Sequence, residues 1–151
     1  MKAILVPVDF SDVTLKVVKV AAHLAKPFQS KIILMHVSEL ASQMLTLGAG
    51  PDVVPVPATP DEDLPTDAED RLARLQELVT SLGLESTSIA LKGPPLDHIL
   101  AQAETSKVDL IVIGSHSRGP LYHLFVGGVI DGILKRARCP VLVVPLSETG
   151  N

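Results

Sequence analysis

The chain has 151 residues, a length typical of one domain that buries a single core without disulfides or metal ions. The formal net charge is −4 and the basic residues form no long block, which argues against a protein that binds DNA or RNA by phosphate attraction. Hydrophobic residues make up 46% of the chain but aromatic residues only 3%, so we expect a core of Val, Leu, Ile and Ala, which suits buried parallel strands.

The beginning of the chain and its single cysteine indicate a cytoplasmic setting. No apolar run approaches the roughly 20 residues that span a bilayer, and the first residues follow a short strand pattern rather than that of a signal peptide. Cys139 is the only cysteine and therefore has no disulfide partner within the chain. We expect a soluble, cytoplasmic protein in which Cys139 is an inert core thiol.

Strand and helix patterns alternate along the first part of the chain. Residues 1–8 and 31–37 are short, branched apolar runs typical of buried strands. Between them, residues 13–25 show helical spacing, with Ser11 or Asp12 as the predicted cap and Pro27 marking the end. The predicted buried positions of this helix are Leu15, Val18, Ala22 and Ala25.

A proline-rich segment interrupts this alternation. Residues 42–65 contain five prolines and two glycines, a composition that favours an extended or mobile loop within one domain. A helix is predicted to follow, with Thr66 three residues before Glu69, the spacing of a capping box, and with Gly83 at its end. Its predicted buried stripe is Leu72, Leu75, Leu78, Val79 and Leu82.

The remaining residues continue the alternation. An edge strand is predicted at 87–91, a turn and helix within 92–106, a buried strand at 109–113, a helix from 126 or 127 to 137, and a last strand at 139–145. Five strands that alternate with four helices predict a doubly wound α/β domain. Its sheet is mostly parallel, with right-handed crossovers and helices on both faces.

In such a sheet, ligands bind beyond the carboxyl ends of the strands, where the strand order reverses. Asp9 follows the first strand and suits a ribose hydroxyl or an exocyclic amine, but it equally suits a helix cap or a turn. The stretch "GSHSRGPLYHLFVGG" at 114–128 follows the fourth strand and combines exposed backbone amides with the charge of Arg118. Either a phosphate cradle at a helix N-terminus or two turns would produce this composition.

Several other kinds of site are disfavoured by the sequence. It contains neither G-x-G-x-x-G after the first strand nor a G-x-x-x-x-G-K-[ST] loop, and no H-E-x-x-H accompanies His36, His116 and His123. Ser115 and His116 are adjacent but lack a G-x-S-x-G elbow, so we assign no catalytic residue and no metal site. Asp131 is suited to hold a phosphate-bound metal, but a solvated helix face is the stronger interpretation.

Four segments of the sequence resemble a universal stress protein. They are "ILVPVDFSD" at 4–12, "ILMHV" at 33–37, "DLIVIGSHSRG" at 109–119 and "GGVIDGILKRARCPVLVVP" at 127–145. The resemblance extends over nearly the whole chain. It implies an adenine nucleotide alpha hydrolase-like fold with strand order 3-2-1-4-5.

The nucleotide-binding branch of that family carries a signature after the fourth strand: Gly, two residues, Gly, nine residues, Gly, then Ser or Thr. Gly114 and Gly127 match it, whereas Ser117 replaces the second glycine and Gly128 replaces the hydroxyl residue. The missing hydroxyl corresponds to one hydrogen bond of about 0.5–1.5 kcal/mol. The sequence therefore predicts a weakened site that still binds nucleotide.

The resemblance also implies which residues bind the nucleotide. Adenine and ribose contacts would fall at Pro7, Val8, Asp9, Val37 and Ile113. Phosphate contacts would fall at Gly114, His116, Ser117, Gly127, Gly128 and Val129, with Ile130 at the start of the helix that faces the phosphates. Arg118 is added to this set on account of its charge alone.

The family pairs its last strand with that of a second subunit, which implies a homodimer edge at Val141, Leu142, Val143 and Val144. The expected function is a stress-linked regulatory protein that binds ATP or another adenine nucleotide, with or without Mg. An alternative is a family member without nucleotide that acts as a protein interaction module. A slow ATP hydrolase is the third hypothesis.

Overall fold

The computed structural model of the protein describes residues 1–38, 67–115 and 128–146. The first of these ranges contains β1 (Ala3–Pro7), α1 (Thr14–Ala25), a short 3-10 helix (Lys26–Phe28) and β2 (Lys31–Ser38). The second contains α2 (Asp67–Ser81), β3 (Ser86–Lys92), α3 (Pro95–Thr105) and β4 (Leu110–Ser115), and the third contains α4 (Val129–Arg136) and β5 (Val141–Pro145).

The five strands form one parallel sheet in the order β3-β2-β1-β4-β5, as predicted. β1 lies at the centre, where Leu5 is level with Ile33 of β2 and with Ile111 of β4. β3 is an edge strand, and its burial alternates along its length as its polar and apolar residues do. The elements differ from the predicted ranges by a few residues at their ends.

The sheet separates two apolar cores, because successive side chains of a strand point to opposite faces. On one face, Ile4 and Val6 pack with α1 and α2; on the other, Leu5 packs with α3 and α4. Helices therefore cover both faces, as predicted. None of the helices in the described residues is both long enough and apolar enough to cross a membrane.

The buried face of α1 differs from the predicted one. Its buried residues are Thr14, Val17, Val18, Ala21, Ala22 and Ala25, whereas the predicted core residue Leu15 is 55% exposed. Since Val and Ala recur all along this helix, spacing alone left the orientation of its apolar face ambiguous. The predicted cap at Ser11 or Asp12 is wrong as well, because α1 begins after Val13, which makes no side-chain cap.

The helix α2 has the predicted buried stripe in its central turns. Leu72, Leu75 and Val79 are buried and Leu78 packs partly against the same core, but Leu82 is 38% exposed beyond the helix end. Gly83 has φ +80°, the left-handed geometry that favours glycine after a helix. The predicted cap at Thr66 and the proline-rich segment 42–65 lie outside the described residues.

A close contact at Gly114 packs α1 against β4. A Cβ atom added to Gly114 would lie 2.5 Å from Cγ1 of Val13 and 2.9 Å from Cγ2 of Val17, well inside van der Waals contact. Only a residue without a side chain allows the helix to approach the strand so closely. Gly114 therefore has a packing role that is independent of any ligand.

Asp109 directly precedes β4 and lies at the amino edge of the sheet, where the strands begin. Its Oδ2 accepts hydrogen bonds from the backbone N–H of Lys2 at 2.5 Å and of Ala3 at 3.1 Å. The N–H donors of Lys2 and Ala3 hold the pKa of the Asp109 carboxyl below its ordinary value. Asp109 thus fixes the start of β1 beside the start of β4.

We predict that Gly114→Ala lowers the free energy of unfolding by about 1–3 kcal/mol, since the added methyl group overpacks the core. The penalty should shrink when Val13→Ala is present, because that variant removes the atom closest to the new Cβ. Urea unfolding of the two single variants and the double variant measures this coupling. If the two substitutions change the free energy of unfolding in a strictly additive way, the contact with Val13 is not the reason that residue 114 must be glycine.

We also predict that Asp109→Asn reduces the acid sensitivity of the fold. A carboxyl whose pKa is lowered by folding stabilises the native state above its unfolded pKa of about 4, and this contribution is lost as the pH falls through the folded value. Unfolding followed from pH 7 to pH 2 measures the difference. Asp12→Asn, which removes an exposed carboxylate near the other edge, is the control, and the same pH profile for both variants would contradict the prediction.

Candidate functional site

The two strand exits singled out by the sequence meet at one edge of the sheet. Strand order reverses between β1 and β4, which pair in parallel through Ile4 with Leu110 and Leu5 with Ile111. From β1 the chain leads to β2 on one side, and from β4 it leads to β5 on the other. This divergence creates the crevice in which doubly wound sheets bind ligands.

The exit of β1 is held in place by backbone hydrogen bonds. Pro7 and Val8 are buried, and the Val8 N–H donates to the carbonyl oxygen of Met35 at 2.8 Å, which continues the pairing with β2. Asp9 is exposed, and its Oδ1 accepts from the Ser11 N–H at 3.1 Å. Asp9 therefore forms a turn at the exit of β1.

An aromatic cluster holds the next residue of this exit. Phe10 has φ +60°, and its ring lies 4.5 Å from that of His36, centroid to centroid. Cζ of Arg71 lies 5.4 Å from the Phe10 centroid, within the range of a cation–π interaction. His36 Nδ1 is 2.8 Å from the carbonyl oxygen of Val8. The cluster joins α2 and β2 to the exit of β1.

Four apolar residues of the predicted nucleotide site lie on the same face of the sheet. Ile113 is buried in the core beneath α3 and α4, and the partly buried Val37, Val129 and Ile130 pack against that core. Val8 belongs to the core on the other face, and Gly114 faces α1. The predicted nucleotide contacts among the described residues thus lie on both faces of the sheet, near its carboxyl edge.

The start of α4 provides hydrogen-bond donors at this edge. Gly128 is the N-cap residue, and its carbonyl oxygen accepts from the Gly132 N–H at 3.0 Å. The N–H groups of the first helical turn, at Val129, Ile130 and Asp131, have no intrahelical acceptor and favour an anion. Gly128 has φ −83°, which any residue adopts, so the backbone does not require glycine here.

Asp131 is engaged in an ion pair. Its Oδ2 lies 2.8 Å from Nζ of Lys135 on the next turn of α4, in agreement with a solvated helix face. Among the described residues, no group of three His, Cys, Asp or Glu side chains is placed to hold a metal ion. The predicted contacts at His116, Ser117, Arg118 and Gly127 lie outside the described residues.

Two buried hydroxyl groups lie near the exit of β1. Oγ of Ser11 and Oγ1 of Thr14 are buried and make no hydrogen bond within the described part of the chain. Each unsatisfied hydroxyl costs about 1–3 kcal/mol. The sequence indicates Ser11 only as a helix cap, and the one signal for this pair is a Ser and a Thr three residues apart after a strand.

The predicted dimer edge lies at the side of the sheet. β5 pairs with β4 and is the last strand in the sheet order. Val144 is buried and Val141 and Val143 are half-buried, whereas Leu142 is 37% exposed. Nζ of Lys16 donates to the carbonyl oxygen of Pro145 at 2.7 Å and holds the end of the strand against α1.

Comparison with known proteins agrees with this architecture. The model of the universal stress protein family matches residues 1–145. A universal stress protein of Methanocaldococcus jannaschii is 30% identical over an alignment that covers 95% of this chain and 81% of that protein.

Solved structures share the fold. A universal stress protein in complex with cAMP superposes with a TM-score of 0.70 and 19% identity, covering 97% of this chain and 98% of that chain. The universal stress protein of Archaeoglobus fulgidus in complex with dAMP gives a TM-score of 0.66 and 23% identity, covering 95% and 97%. The fold is adenine nucleotide alpha hydrolase-like, as the sequence predicted. The chain belongs to the universal stress protein family.

Proposed function

We propose that the protein is a regulatory protein that binds ATP or another adenine nucleotide in the crevice between β1 and β4. The observation that carries this proposal is the reversal of strand order between these strands, with the N-terminus of α4 at the same edge. The nucleotide complexes of two proteins with this fold, one with cAMP and one with dAMP, support the choice of an adenine nucleotide.

The described residues suit the parts of such a ligand. The carboxylate of Asp9 would accept hydrogen bonds from the ribose hydroxyls, and apolar Val37 and Ile113 would border the base or ribose. Phosphate oxygens would accept from the amides of Val129 and Ile130 at the start of α4, where the helix dipole favours negative charge. Mg would accompany the phosphates.

The buried hydroxyls of Ser11 and Thr14 give independent support. Polar atoms without partners are uncommon in folded proteins and often mark functional sites. Both residues follow β1 closely in the chain, so a ligand bound at this exit would bring acceptors near them. Recovering even one of these hydrogen bonds would favour the bound state.

We further propose that the protein is a homodimer joined through β5, with a role in the stress response in the cytoplasm. The exposed Leu142 on an edge strand supports this, because natural proteins seldom leave apolar edges uncovered. The same surface supports the alternative of a protein interaction module without nucleotide, and titration with nucleotide separates the two.

We predict saturable binding of ATP, ADP or AMP in the micromolar range by calorimetry, with or without magnesium. Asp9→Ala should weaken binding about tenfold, since it removes a charged acceptor of ribose hydroxyl groups. Asp12→Ala, three residues away and also exposed, is the matched control and should bind as the wild type does.

Absence of both heat and thermal shift at millimolar nucleotide would exclude the nucleotide proposal and favour the interaction module. Normal binding by Asp9→Ala would place the ribose elsewhere. Gly114→Asp is unsuitable as a binding control, because its side chain would collide with Val13 and Val17. The slow hydrolase requires phosphate release above that of an Asp9→Ala control.

We predict that Leu142→Glu converts the dimer into a monomer, because it places a charge on the proposed interface strand. Sedimentation velocity over a range of protein concentrations measures the change in mass. Leu134→Glu is the matched control, since Leu134 is 54% exposed on α4 and lies outside the proposed interface. Loss of the dimer in both variants, or a wild type that is monomeric throughout, would contradict the prediction.

A further inference from the structure

A cavity of about 400 Å³ lies at the amino edge of the sheet, opposite the proposed nucleotide crevice. It is formed where α3 and α4 end and where the chain enters β4 and β5. Its volume falls within the range of about 300–1,000 Å³ that is typical of small-molecule sites. The proposed nucleotide site uses none of its lining residues.

The floor of this cavity is apolar. Leu100 and Ala103 of α3 contribute to it, together with Val108 and Cys139 just before β4 and β5. Ala103 and Val108 are among the buried core residues, and Cys139 packs partly against the same core. Burial raises the pKa of the Cys139 thiol, as expected for a group at a surface of low polarity. The floor therefore suits a hydrocarbon group.

The lining also includes three cationic side chains, those of Lys107, Arg136 and Arg138. Within the described part of the chain, the Lys107 ammonium group makes no ion pair. Arg138 Nε lies 3.3 Å from Glu104 Oε1, and Arg136 makes a single contact of 3.5 Å with Asp97. These exposed pairs are long and contribute little, so a carboxylate that engages a guanidinium group through two hydrogen bonds can displace them.

Three features oppose an anion at this position. Glu104 lines the cavity, the Asp109 carboxylate is close enough to act on the Cys139 thiol, and the carboxyl ends of α3 and α4 each carry roughly half a negative charge. Within the lining itself, however, three cationic side chains stand against the one carboxylate of Glu104, so the lining favours an anion over a cation. The combination of an apolar floor and cationic side chains selects an amphipathic anion over a neutral or positively charged molecule.

We propose that this cavity is a second ligand site, which binds a small organic carboxylate with a hydrocarbon body. The body would lie on the floor beside Cys139, and the carboxylate would accept hydrogen bonds from Arg136 and Arg138. This proposal does not depend on nucleotide binding, because the two sites lie at opposite edges of the sheet.

The single cysteine provides the test. Octanoate serves as the probe, and the rate of Cys139 alkylation by the neutral reagent iodoacetamide serves as the readout. Octanoate should slow alkylation at least about threefold, with saturation, whereas acetate, 1-octanol and octylamine at the same concentration should have weaker effects. The backbone amide NMR shifts of Val108 and Ala137 give a second readout that does not involve the thiol.

In the double variant Arg136→Gln/Arg138→Gln, the octanoate concentration that halves the protectable part of the Cys139 alkylation rate should rise about tenfold. The alkylation rate of each protein is compared with its own rate without octanoate. Both side chains are exposed, so the variant should fold, which thermal unfolding checks. Arg74→Gln, an exposed arginine on α2, is the matched control. The proposal is overturned if octanoate gives neither protection nor shifts, if 1-octanol acts equally well, or if the double variant responds as the wild type does.

Discussion

The parallel pairing of β1 with β4 is the contact on which the arrangement of this molecule depends. It joins the two halves of the chain, and it opens the crevice because the chain leaves these strands in opposite directions. Two local contacts fix the pairing at its ends. At the amino edge, Asp109 accepts hydrogen bonds from the backbone amides of Lys2 and Ala3, and at the carboxyl edge Gly114 leaves room for Val13, just before α1, and for Val17 of α1.

Much of this architecture was predictable because the strands are short, branched and separated by amphipathic helices. Strand number, direction, order and the placement of helices on both faces all followed from the alternation and the family resemblance. The buried face of α1 was not predictable, since small apolar residues occur on more than one side of that helix. Leu15 is apolar as well, and the pattern alone does not show that it faces away from the core. Its predicted cap at Ser11 or Asp12 was wrong, because the chain still turns at Asp9 and Phe10 and α1 begins only at Thr14.

The candidate site was predictable as a position in the fold but not as a set of contacts. Sequence spacing identifies Gly114 as one of a series of glycines, but the valines that exclude a side chain there are brought together only by the fold. The glycine would be retained with or without a phosphate, so it says little about nucleotide binding in this chain. Gly128 is more informative about nucleotide binding, because its backbone conformation admits any residue. The fold therefore does not require that the hydroxyl residue of the signature be replaced by glycine there.

The cluster of Phe10, His36 and Arg71 has a consequence for recognition. It fixes the exit of β1 through a ring contact, a cation above the ring and a contact to the Val8 carbonyl group. Residues that are already fixed lose little conformational entropy when a ligand arrives. At the proposed crevice, the wall formed by the exit of β1 is therefore held in place in advance by α2 and β2, so differences in affinity between ligands should arise mainly at the opposite wall.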